Sequence, residues 1–377
     1  MRTVLISGAG IAGATLAWWL ARTGFVPTVV ERAGKTRSSG APVDVQGQAL
    51  EIVTAMDLSG PMRQAATHVR EMIFLNGRGR EAAKVDMAVF SDGGGNIELP
   101  RGDLARLLCD ASRKDAEYIF NDQITALEET PSGVDVRFES GAERHFDLLI
   151  GADGLHSRVR ELAFGPEAAF VRHAGFYFAT MPLPDERPDP GKVLLYNSPG
   201  RAIAIHPARD KALCAFIFRH PQVSDLNPRH SAQHRLILEA AYANQGWRSG
   251  ELIERANASD DLYFDAVSQV KLETWSRGRI ALVGDAASCL SLFGGGSSNA
   301  IIGAQILAKE LGAARDHRTA FARYEQQHRP LVESGLRNFS RTAGQIVPRT
   351  SAAIAIRNLA IRLVPFTQRV SRMMRRH

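Results

Sequence analysis

One stretch constrains the fold more than any other. Residues 3–7 are apolar and β-branched, residues 8–13 read Gly8-Ala9-Gly10-Ile11-Ala12-Gly13, residues 14–22 suit a helix, and residues 28–31 suit a second strand. A short apolar run bounded by turn residues fits a buried parallel strand. Gly24 stands where a helix ends, in the place of a C-terminal cap. Strand, turn, helix and strand in this order make a βαβ unit. The first glycine permits the tight turn, the second lets backbone approach a pyrophosphate, and the third lets helix pack closely on strand. The helix start at Ile11 and Ala12 offers free N–H groups and a partial positive charge to phosphates. Glu31 lies 18 residues past Gly13, where an acid accepts hydrogen bonds from a ribose diol. By itself this fingerprint does not separate FAD from NAD.

Two later motifs repeat the logic. Residues 147–154 read Asp147-Leu148-Leu149-Ile150-Gly151-Ala152-Asp153-Gly154. An apolar strand there ends at Asp153, on the edge where open α/β sheets bind ligands. Residues 278–287 place a second buried strand ahead of Gly284-Asp285, a carboxylate within reach of ribose or ribitol hydroxyls. Gly294, Gly295, Gly296, Ser297, Ser298 and Asn299 follow and open a helix. Small residues let a flat ring lie against backbone, and the helix start stabilises negative charge on it.

The remainder of the chain sets bounds. Its 377 residues, 45% hydrophobic and 23% charged, suit a soluble globular protein of about two domains. No run approaches the ~20 apolar residues that span a bilayer. The chain enters a strand by Thr3, without room for a signal peptide, so the cytoplasm is the expected compartment. Cys109, Cys214 and Cys289 are too few and too scattered for a disulfide framework or a metal site. His173, His206 and His220 read as ordinary isolated histidines. The net charge of +6 sits in the tail, where nine arginines follow Glu333 and no acid does. A basic body would have suggested nucleic acid; this body is slightly acidic, and no nucleic-acid partner is expected.

From Gly175 the pattern changes to runs that alternate or stay apolar between Pro/Gly turns, the signature of a mostly antiparallel sheet. The expected fold class is α/β. A Rossmann-like domain takes residues 1–75, 101–165 and 276–330. A mixed or antiparallel-sheet substrate domain takes 76–100 and 166–275, and C-terminal helices take 331–377.

The three motifs, in this order and spacing, resemble the single-component FAD-dependent aromatic hydroxylases of the para-hydroxybenzoate hydroxylase type. Residues 263–271, Trp275 and 278–285 are most similar to the tetracycline-inactivating monooxygenases. The resemblance implies FAD as cofactor, NADPH or NADH as a transient reductant, and transfer of one oxygen atom of O2 to an aromatic or polycyclic small molecule. It implies that Gly8, Gly10 and Gly13 line the pyrophosphate, that Glu31 and Arg32 hold the adenosine, and that Ile124 offers backbone to the adenine. Arg101 would reach the cofactor. Asp153 would serve FAD and the nicotinamide, Asp285 the ribitol and pyrophosphate, and Gly295 to Asn299 the flavin ring. No side chain stands out as a catalytic acid, base or nucleophile, because the flavin does the chemistry. Expected substrate-wall residues are Phe178, Tyr196, Phe216 and Phe218, with Phe293 near the ring.

This chain departs from that family at five positions. Ser288 replaces a usual His, Leu292 a usual Pro, Gly296 a usual Gln, Ser297 a usual Gly, and Gln46 a common Arg. A flavoprotein that sequesters FAD without oxygenating, and an NAD-dependent dehydrogenase, therefore stay open as alternatives here. The tail, with apolar Ile354, Ile356, Leu359, Ile361, Leu363 and Val364 among arginines, suits a helix packed across both domains with its arginines snorkelling to water. A basic helix on anionic lipid is the less favoured reading. Pro365 is expected to break or kink that helix. A monomer is expected.

Overall fold

A computed structural model describes residues 2–34, 41–87, 95–207, 212–224, 226, 230–289, 292 and 295–374, the side chains of 364–374 excepted. Two units form, each from three chain segments. Met1–Ala66, Gly94–Ala174 and Ser268–Phe339 make the first; Thr67–Gly93, Gly175–Val267 and Ser340–His377 make the second. Residues 331–377, expected to stand apart as a helical segment, are divided between the two.

The first unit is built on a six-stranded sheet. From edge to edge it runs Ser276–Arg277, Ile280–Leu282, Leu148–Gly151, Arg2–Ser7, Phe25–Glu31 and Glu117–Phe120. All neighbours are parallel except the two-residue edge strand. Val4, Leu5, Ile6, Leu149 and Ile150 are fully buried. Strands covered on both faces need such continuous apolar runs. The helix Ile11–Arg22 packs along the helix Gly296–Ala313. The small residues Ala14, Ala17, Ala304 and Ala308, all fully buried, permit that close approach.

The second unit carries a seven-stranded mixed sheet in the order Tyr263–Val270, Val171–Leu183, Ala212–Arg219, Arg201–His206, Lys192–Ser198, Glu71–Leu75 and Glu81–Asp86. Lys192–Ser198 pairs in parallel with Glu71–Leu75, and its pairing with Arg201–His206 is antiparallel. The helices Ser231–Tyr242 and Ser249–Ala258 cover one face through Leu238, Tyr242 and Leu252.

The chain ends in the helix Ser351–Met374, which continues through Pro365 without the expected break. A proline removes one backbone hydrogen bond from a helix interior, and the turns on either side carry this one past it. Arg357 fastens the helix to its own unit. Its Nη1 donates to Asn197 Oδ1 (2.9 Å) and to the Gln345 carbonyl (2.8 Å), and its guanidinium lies 4.1 Å from the centre of the Phe74 ring. Arg362 Nε donates to the Ala82 carbonyl at 2.6 Å. Ile356, Leu359 and Leu363 remain exposed. Among the described residues no helix is long and apolar enough to cross a membrane.

Candidate functional site

Register brings the three motifs together. Ser7 pairs with Val30 on one side and Gly151 on the other, and Gly151 pairs with Leu282. The loops that begin at Gly8, Ala152 and Val283 therefore leave the carboxyl edge of one sheet side by side. Their glycines are required for distinct reasons. Gly8 has φ +106°, and a Cβ there would lie 2.5 Å from the Ala152 carbonyl oxygen. A Cβ at Gly13 would lie 1.9 Å from the Gly8 carbonyl oxygen. Gly10 differs: a Cβ there would meet nothing within 4 Å. The protein thus leaves space beside Gly10, at the head of the helix Ile11–Arg22. That helix has no side-chain cap and no acid in its first turn, so its free N–H groups face the loop.

Glu31 shapes the loop. Its carboxylate accepts the N–H of Ala9 (2.9 Å) and of Ala33 (2.8 Å). A carboxylate has about four lone-pair sites, so acceptor capacity remains for a sugar diol. The Glu31 carbonyl accepts the Asp122 N–H at 3.2 Å, which holds the segment leading to Ile124 beside this strand end. The Ile124 side chain is buried, and Arg32 is exposed at the surface.

Asp153 is turned inward. It accepts hydrogen bonds from Ser7 Oγ (3.3 Å), Ser157 Oγ and the Val159 N–H (3.1 Å). Burial raises its pKa, and the bonds from Ser157 and Val159 oppose that rise. Its work in this arrangement is to tie the first strand to the helix Arg158–Phe164. Arg160, in the continuation of the second motif, carries the tie further. Its guanidinium is fully buried and donates to the carbonyls of Ala286 (3.1 Å) and Leu155 (2.6 Å), joining the second motif to the third.

The third motif packs on the first: a Cβ at Gly284, where φ is +64°, would lie 2.8 Å from the Ala12 Cβ. Asp285 follows in a tight turn, its Oδ2 3.8 Å from Nη2 of Arg101, the first residue of the helix Arg101–Ser112. Burial raises the Asp285 pKa and the Arg101 charge opposes it. Gly295, in the left-handed conformation with φ 68° and ψ 33°, caps the helix Gly296–Ala313, which again has neither a side-chain cap nor an acid in its first turn. Ser297 and Ser298 are buried and Asn299 is half-buried. Ser298 Oγ accepts the Gln46 N–H (3.2 Å) and donates to the Asp44 carbonyl (3.1 Å), so the strand Pro42–Gln46 braces this helix start. Leu292 adopts φ 71°. A proline ring cannot take that angle, so the loop follows a path closed to the residue it replaces. Phe293 and Gly294 lie outside the described residues.

Behind the helix start stands a support that sequence reasoning missed. His328, 1% exposed, faces Gly303, where a Cβ would lie 2.5 Å from its ring. The rings of Trp275 and Tyr324 flank it. Burial pushes the His328 pKa down to about 4, against a backbone contact at Asn299. Tyr324 Oη donates to the Leu282 carbonyl at 3.1 Å.

The expected substrate wall needs correction. Ala179 pairs with Phe216, Phe216 with Ile203, and Ile203 with Tyr196, so Tyr196, Phe216 and Phe218 share the helix-covered face. There Tyr196 meets Trp247, Phe216 meets Tyr242, and Phe218 meets Tyr177 and Phe264. They are core. Phe178 lies on the opposite face, in register with Ile217 and, beyond it, Ala202.

The family model described as FAD binding domain matches residues 1–338. An uncharacterized protein of Mycobacterium tuberculosis is 38% identical over 88% of this chain and 91% of its own length. A flavin-dependent monooxygenase of an unknown prokaryotic organism is 34% identical over 88% of this chain and 87% of its own length. The crystal structure of tetracycline destructase Tet(55) superposes with a TM-score of 0.85 at 30% identity, covering 96% of this chain and 95% of that one. Klebsiella pneumoniae HpxO, solved with FAD and uric acid, shares the fold at a TM-score of 0.75 and 22% identity, covering 96% of this chain and 92% of that one.

Proposed function

The chain belongs to the FAD binding domain family and is an FAD-dependent monooxygenase; from that premise we propose that it inserts one oxygen atom of O2 into an aromatic or polycyclic small molecule, with NAD(P)H as reductant. The observation that carries the reading is the convergence of Gly10, Glu31 and the Arg101–Asp285 pair around one sheet edge. The residues present fit FAD: open space at Gly10, an uncapped helix start for the pyrophosphate, and remaining acceptor capacity on Glu31 for the ribose. Arg101 and Asp285 would hold the phosphate and ribitol portion. Gly295 to Asn299 would face the ring, where the helix N-terminus favours negative charge. Bound FAD supplies electron storage and dioxygen activation, which no side chain provides. An NAD-dependent dehydrogenase would have no use for a Gly284-Asp285 turn so late in the chain, which speaks against that alternative.

Phe178, on the face of the second sheet away from its helices, is the expected wall residue that keeps a place in the substrate reading. The tetracycline destructases among the relatives support a polycyclic substrate. We place the protein in the cytoplasm as a monomer. The test is oxygen consumption by the purified yellow protein with NADPH or NADH across phenols, polycyclic phenols and tetracyclines, with product mass read out. A product heavier by one oxygen supports the reading. Nicotinamide oxidation that yields only hydrogen peroxide with every compound overturns it.

A further inference from the structure

The helix Ser351–Met374 turns apolar residues both to its unit and to solvent. It packs on the strands Glu81–Asp86 and Lys192–Ser198. On that side Ile354, Arg357, Asn358 and Ile361 are half-buried. Arg357 bonds to Asn197, and its Nε and Nη2 donate to Asn358 Oδ1 at 3.2 and 2.9 Å. A surface helix ordinarily shows a polar face to water. This one shows Ala352, Ile356, Leu359 and Leu363, all exposed. Steps of four, three and four residues put them on one stripe. The three large side chains are 68%, 58% and 52% exposed, so the ridge stands clear of the protein. The sequence carries the same spacing on through Phe366, Val370 and Met373. The other exposed large apolar side chains among the described residues, Val26, Leu236, Leu292 and Leu331, are scattered along the chain. Apolar residues exposed singly are normal, whereas a contiguous apolar patch marks an interaction surface.

The charge around the ridge selects its partner. After Glu333 the chain has nine arginines and no acid. Arg362, exposed next to Leu363, donates from Nε to the Ala82 carbonyl at 2.6 Å and forms no ion pair among the described residues. A second copy would bring an equal positive charge to the seam, with no acid on either helix to pair it. An anionic lipid surface brings the opposite charge over its whole area, with apolar chains beneath. We propose that the helix lays the ridge of Ile356, Leu359 and Leu363 in the interface of an anionic lipid layer, with Arg362 and the positive charge of the tail toward the headgroups. Among the described residues no helix is long and apolar enough to span a bilayer, so the protein lies on the surface. One side of the helix meets lipid while the other keeps its bonds to the second unit. This docking does not depend on the reaction proposed above.

The experiment uses the full-length FAD-loaded protein and its Ile356→Gln/Leu359→Gln double variant. Glutamine keeps the helix propensity of the exposed ridge and removes its apolar surface. Sedimentation is measured with vesicles of phosphatidylglycerol and phosphatidylcholine in equal parts, and with phosphatidylcholine alone. The parent should bind the anionic vesicles about tenfold more tightly than the neutral ones, and added salt should weaken that binding. The double variant should melt like the parent, keep its flavin and bind the anionic vesicles about tenfold less tightly. Leu363→Gln alone should act in the same direction, and it carries the test if the double variant does not fold. A parent that binds neither vesicle, or both equally, overturns the proposal. A parent that is dimeric in sedimentation velocity without vesicles, with a monomeric variant, assigns the ridge to a second copy instead. A variant that melts lower or loses FAD while its vesicle binding is unchanged places the ridge against protein and also overturns the proposal.

Discussion

Arg101 Nη2 stands 3.8 Å from Asp285 Oδ2, joining the start of one helix to the turn that ends the strand Ile280–Leu282. Arg101 is half-exposed, and Asp285 is the more buried partner. An ion pair this open contributes little to stability. Its value lies in holding a carboxylate and a guanidinium at the place where three loops meet. Asp285→Ala should therefore weaken FAD binding by tenfold or more, with a smaller loss of thermal stability, and Arg101→Ala should act in the same direction. The two losses should be less than additive in the double variant, because the residues share one interaction. Fluorescence titration with FAD measures this; full additivity would separate the roles of the two residues.

The three glycines of the first loop should respond differently to the same change. Gly13→Ala puts a Cβ 1.9 Å from the Gly8 carbonyl, and Gly8→Ala puts one 2.5 Å from the Ala152 carbonyl. Both should destabilise the protein by roughly 3 kcal/mol or more, as clashes and strain in packed regions do. Gly10→Val puts its Cβ where no protein atom lies within 4 Å. It should leave the flavin-free protein folded, at a cost of about 1 kcal/mol for the altered helix start, yet abolish FAD retention. Melting curves of stripped protein alongside flavin content decide it. A Gly10→Val protein that still holds one FAD would remove the pyrophosphate from this loop.

The motifs legible in the sequence are those whose function is local. Gly8, Gly10, Gly13 and Glu31 sit within one βαβ unit, and Asp285 ends a strand that its own apolar run announces. The buried roles of Arg160 and His328 were not legible. Arg160 meets Ala286 from 126 residues away, and nothing periodic around it signals a buried charge. The misplaced Tyr196, Phe216 and Phe218 have a different cause. Alternation says which residues of a strand share a face, but helices elsewhere in the chain decide which face becomes core. Phe178 and Phe218 look equivalent in sequence and lie on opposite sides of the sheet.

His328 makes a pH prediction with a definite sign. Its pKa in the fold is about 4, below the usual value of about 6.5. The unfolded chain thus takes up the proton first as pH falls. Stability from this residue is complete above about pH 6.5 and is lost progressively between about pH 6.5 and pH 4. The loss between pH 7 and pH 5 is roughly 2 kcal/mol. His206, also lowered to about 4 by burial, adds a loss of the same sign. His328→Leu should reduce the pH dependence without abolishing it, as urea unfolding at pH 5 and pH 7 would measure. An unchanged difference would mean that His328 is reached by water.

Arg357 should act as a fastener of the last helix. Arg357→Ala removes its bonds to Asn197 and Gln345 and its contact with Phe74. A loss of about 1–3 kcal/mol is expected from the second unit, together with faster proteolysis near Ser351. Truncation after Thr350 should do the same more strongly. A truncated protein that melts like the parent but no longer sediments with anionic vesicles would assign the helix to lipid instead.

The order of the first sheet has a consequence for synthesis on the ribosome. Its strand Leu148–Gly151 has Arg2–Ser7 on one side from early in translation, but its other neighbour, Ile280–Leu282, is made 129 residues later. Until then one edge of the strand offers unpaired backbone to other chains. The segment Gly175–Val267 of the second unit is made within that interval. The nascent protein therefore carries an open, apolar edge while residues 152–279 are made, and the helix Gly296–Ala313 is added only after the edge is closed. FAD capture by the three loops together is therefore expected only once residues 284–299 have emerged, late in the synthesis of the chain.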